Sequence, residues 1–77
     1  MKTIQIINKT GSNYTPAGLM YKYAKEHRTE QFYYHGRSVI VLDGVEYGFD
    51  HWDIHDNGNG TETTTISLFP CGHLIRH

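Results

Sequence analysis

Only one stretch of this chain reads firmly as a helix, and that limits the folds open to it. Thr15 offers a capping hydroxyl, and Pro16 suits the first helical position, where no N–H is needed. Ala17 to His27 follows in amphipathic spacing, with Ala17, Met20, Ala24 and His27 on one stripe flanked by Leu19 and Tyr23. Lys25, His27 and Arg28 fall in the last turn, where the helix dipole favours cations. A lone helix cannot build a bundle, so its apolar stripe must rest on a sheet.

The remaining segments supply that sheet. Thr3 to Asn8 alternates, with Ile4 and Ile6 on one face. Gln31 to Tyr34 and Ser38 to Leu42 read as strands joined at His35-Gly36, and Asp43-Gly44 starts a second hairpin into Val45 to Phe49. Asp50 to His55 reads as a short helix or an irregular loop, Asp56 to Gly60 as a loop, and Thr61 to Phe69 as a last strand stopped by Pro70. The expected architecture is a single α+β domain over residues 1–77. One helix lies on a mostly antiparallel sheet of four or five strands, in the order β-α-β-β-(β or short α)-β.

The 77 residues carry a net charge of −1, which argues against a nucleic-acid binder working by phosphate neutralisation. The single cysteine, Cys71, allows no internal disulfide, and the opening residues lack the apolar run of a signal peptide. No apolar run is long enough to span a membrane. A cytoplasmic location is the expectation. Six tyrosines and six histidines are many for this length. A core of this size cannot enclose every aromatic ring, so Tyr14, Tyr21, Tyr33, Tyr34 and Tyr47 are candidate contact residues for a partner. Asp50 and Asp53 form a negative patch beside Trp52 and Tyr47, and Asn13 joins the set from the loop before the helix. Exposed strands would also permit a homodimer.

The segment Ile6 to Ala24, with Lys9-Thr10-Gly11 and Pro16-Ala17 at their present separation, resembles the start of the histidine-containing phosphocarrier (HPr) family of the sugar phosphotransferase system. His35 to Val39 resembles that family's hairpin turn, and Gly60 to Ser67 its last strand. The resemblance implies a phosphorylatable histidine at position 13 and an arginine at position 15. Here those positions hold Asn13 and Thr15. An amide nitrogen is no nucleophile at neutral pH, and without arginine a phosphate has no charge partner. The resemblance therefore implies a phosphocarrier relative that has lost its chemistry and keeps a regulatory docking role.

His51 and His55 are spaced to share one face if the segment is helical, and Cys71 and His73 add further donors, so the four make a candidate zinc set. The spacing matches no known zinc motif. Asp50, Asp53 and Asp56 do not follow the order of an EF-hand loop and read as a solvated polar turn. Cys71 and His73 are close enough in sequence to pair a thiolate with an imidazole, but nothing supplies an oxyanion hole. So short a chain is also expected to have little room for a substrate pocket of several hundred Å3. The sequence thus points to a non-enzymatic regulator or inhibitor, without cofactor, that binds another protein. Compact chains of this size include regulators carried by phages and mobile elements. The alternatives are the phosphocarrier relative and a small zinc-dependent module.

Overall fold

The computed structural model describes residues 2–72. Along the chain the elements are β1 (Lys2–Lys9), α1 (Pro16–Glu26), β2 (Gln31–Tyr34), β3 (Arg37–Leu42), β4 (Val45–Asp56) and β5 (Thr61–Pro70). They form an α+β fold of one helix on a five-stranded sheet of order β1-β5-β4-β3-β2, in which every neighbouring pair is antiparallel. β2 to β5 make a meander, and β1 closes on β5. Because β1 and β2 occupy opposite edges, the segment carrying α1 must cross the sheet to join them.

The local chemistry explains the turns. His35-Gly36 and Asp43-Gly44 both take positive φ at both residues (51° and 76°, 53° and 78°), the two-residue hairpin turn whose twist matches its strands. The helix starts as its sequence indicates: Thr15 is the cap, its hydroxyl accepting from the Gly18 N–H at 3.1 Å, and Pro16 follows. It ends with Arg28 at φ 52°, and the Thr29 N–H donates to the Ala24 carbonyl at 2.9 Å while the Arg28 N–H donates to the Lys25 carbonyl. This is the Schellman arrangement, with arginine where glycine is usual.

The main core lies between α1 and one face of the sheet. Leu19, Met20 and Ala24 pack on Ile4, Ile6, Ile40, Leu42, Ile66 and Leu68, with Tyr23, Tyr47, Phe49 and Trp52 at the margin. The register places Ile4 opposite Ile66, and Ile66 opposite Trp52, so a band of apolar residues crosses three strands. The opposite face carries a smaller apolar cluster. Val39 and Cys71 are buried there, and the Phe69 ring lies so close to Gly48 that a Cβ at that glycine would stand 3.0 Å from it.

Two expectations are corrected. Residues 50–55 form neither a short helix nor a loop: they continue β4 across a register shift between Phe49 and His51. The extra residue at Asp50 shifts the alternation by one, so Tyr47 and Phe49 before it and Trp52 and Ile54 after it lie on the same face, and the strand period is broken where the two runs meet. His27 does not join the buried stripe. It is exposed at the helix end, its ring stacked on Tyr23 at 3.9 Å.

Candidate partner-binding surface

The loop between β1 and α1 is held at both ends and presents its middle. The Thr10 N–H donates to the Gly60 carbonyl at 3.0 Å, the Gly11 N–H donates to Glu62 Oε1 at 2.8 Å, and the Ser12 N–H and hydroxyl both donate to the Lys9 carbonyl. Gly11 takes φ +82°, the conformation that lets the chain leave β1. With Thr15 fixed as the helix cap, Asn13 and Tyr14 are left exposed, Asn13 with φ 57°. Lys22 secures the floor: its ammonium donates to Asn8 Oδ1 and stands 5.6 Å from the centre of the Tyr14 ring.

Under this loop lies a cavity of about 320 Å3, lined among others by Ser12, Asn13, Tyr14, Trp52, Ile54 and Glu62. Three of the residues marked by sequence as partner contacts, Asn13, Tyr14 and Trp52, therefore meet at one place. The others are dispersed. Tyr21 and Tyr33 are 57% and 65% exposed on α1 and β2, away from this cavity. Tyr34 is half-buried against the edge of the His35 ring, and Tyr47 packs on the main core. Asp50 sits at the register shift in β4 and accepts from His51 Nδ1 at 2.8 Å, while Asp53 is exposed further along the strand.

The candidate metal set is not gathered. A strand separates His51 and His55 by about 13 Å at Cα, against about 6 Å for the same spacing on a helix. His51 lies opposite Ser67 of β5, whereas Cys71 lies four residues further along, past the end of that strand, its N–H donating to the Glu46 carbonyl at 2.9 Å. His73 lies outside the described residues. Among the described residues no three His, Cys, Asp or Glu side chains are grouped to hold a metal ion. The polar turn after β4 satisfies itself: Asp56 Oδ1 accepts from the Gly58 N–H, and Asn59 Oδ1 from the Thr61 N–H.

Burial pushes the Cys71 thiol above its ordinary pKa, and the nearby Glu46 carboxylate adds to the effect. A buried thiol held in its neutral form is the reverse of an activated nucleophile.

One feature was missed by sequence reasoning. A cleft of about 780 Å3 opens between the start of α1, the β2–β3 hairpin and the β4–β5 pair, with Pro16, Tyr34, Arg37, Val39, Phe69 and Cys71 among its lining. The expectation that a chain this short has little room for such a space is corrected. Its walls come from segments far apart in sequence, so no local motif announces it. Among the described residues no helix is long and apolar enough to cross a membrane. Comparison with known proteins gave no matching family model, no matching curated protein and no matching solved structure, and so nothing that supports the phosphocarrier resemblance.

Proposed function

We propose that this chain is a non-enzymatic regulator or inhibitor that acts in the cytoplasm by binding another protein, in the manner of small phage or mobile-element regulators. The observation that supports this reading is the tethered loop whose exposed Asn13 and Tyr14 stand with Trp52 around one cavity. Such a surface is already ordered, so a partner that docks on it meets a small entropic cost. Tyr14 supplies a large amphipathic contact with few torsions to freeze.

The test is parallel affinity capture from a lysate of the source organism with the natural chain and with Tyr14→Ala. Tyr14 is exposed and outside the core, so the variant should keep its fold. Loss of one protein, roughly tenfold or more, from the Tyr14→Ala capture is the expected outcome. Identical captures from the two chains count against this surface.

A further inference from the structure

β4 outruns the hairpin beside it. The β3–β4 ladder reaches no further than Val39 opposite Gly48, whereas β4 continues to Asp56. From Asp50 to Asp56 the edge of β4 that faces away from β5 carries no strand among the described residues. Alternate residues there present N–H and C=O groups with no ladder partner, a ready template for an added strand.

The side chains along this edge select the strand that can be added. Residues 50–56 contain three aspartates, Asp50, Asp53 and Asp56, and no lysine or arginine. If a second copy laid its own segment antiparallel on this one, centred at Asp53, the two Asp53 carboxylates would face each other and each Asp50 would face an Asp56. Like charges directly opposite are destabilising, so the edge disfavours itself and suits a basic strand. Its two faces differ as well. On the α1 side, Trp52 and the 54%-exposed Ile54 border the cavity beneath the Tyr14 loop; on the other side Asp53 stands between His51 and His55.

We infer that the outer half of β4 docks an extended basic segment of a partner protein by strand addition. The added strand places apolar side chains beside Trp52 and Ile54 and a lysine or arginine opposite Asp53. Main-chain hydrogen bonds supply affinity, and the alternating side chains supply specificity. This deepens the partner-binding reading above and rests on it.

The probe is a synthetic peptide alternating lysine and valine, long enough to span Asp50 to Asp56, compared with its glutamate–valine counterpart. Amide hydrogen exchange should slow within residues 50–56 on addition of the lysine peptide and not the glutamate peptide. Asp53→Lys should weaken the lysine peptide roughly tenfold or more and gain binding to the glutamate peptide. Protection elsewhere, binding indifferent to Asp53→Lys, or sedimentation showing dimerisation through residues 50–56 overturns the proposal. The two readings separate in the capture experiment. A partner lost by Tyr14→Ala but kept undiminished by Asp53→Lys overturns the edge and leaves the loop surface standing. A partner lost by Asp53→Lys alone supports the edge and counts against the loop.

Discussion

Arg28 occupies a backbone conformation that suits glycine, at the point where α1 must stop and the chain turn toward β2. The left-handed conformation costs an L side chain roughly 1–2 kcal/mol, partly offset by the extra freedom a glycine would have in the unfolded chain. Arg28→Gly should therefore stabilise the fold by about 0.5 kcal/mol, read as a higher denaturant midpoint at unchanged slope. The basic residues that end the helix were legible in the sequence; that one of them would adopt positive φ was not, because nothing local distinguishes a helix-ending arginine from an ordinary one. Cys71 makes a second residue-scale case. Its thiol is held above its ordinary value when folded, so the unfolded chain ionises first as pH rises. The unfolded state then binds fewer protons than the native state, and stability falls with increasing pH. The fall should begin near pH 9.0, where the unfolded thiol titrates. Comparing Cys71→Ala with the natural chain across that range isolates it, because every other group is common to both chains. A stability difference between the two chains that stays constant through this range would contradict the assignment.

At the scale of elements, β1, α1, β2, β3 and β5 were legible because each carries its own period and stop signal. Ile4 and Ile6 alternate with polar neighbours, Thr15-Pro16 opens the helix, and Gly follows directly at both hairpin turns. β4 was legible only to Phe49. Beyond it, Asp50 interrupts the register and puts Trp52 and Ile54 out of phase with Tyr47 and Phe49, so no single period runs through the strand. The pairing of β4 with β5 is also where glycine matters to packing. Gly48 lies opposite Phe69, whose ring crosses the space a Cβ would fill. Gly48→Ala should cost about 1–2 kcal/mol, since the ring must shift within a cluster that also holds Cys71. Phe69→Leu removes the obstruction, so its cost should be smaller in the Gly48→Ala background than in the natural chain. A double-mutant cycle that sums to zero coupling would show that the ring moves freely.

The whole molecule is longer than a chain of this size needs to be. Its extents are 46 × 22 × 21 Å, and its radius of gyration, 12.8 Å, exceeds the roughly 11.5 Å expected for a compact 77-residue domain. The candidate site follows from this shape more than from any motif. The loop residues and Trp52 could each be marked from sequence, but their meeting depends on β4 and β5 extending past the β2–β3 hairpin to lie beneath the loop. The same extension should divide the sheet in stability. β5 lies between β1 and β4 for most of its length, and Ile66 and Leu68 are fully buried. The outer half of β4 is paired on one side only, and beyond Trp52, which reaches the core margin, its side chains are exposed. It can open without separating α1 from the sheet, so its opening costs less than global unfolding. In the free protein, amides of residues 51–56 should exchange roughly a hundredfold faster or more than those of Ile66 and Leu68. Equal protection along β4 and β5 would mean that the protruding half and the core open as one unit, and that the free edge is held by something other than its ladder to β5.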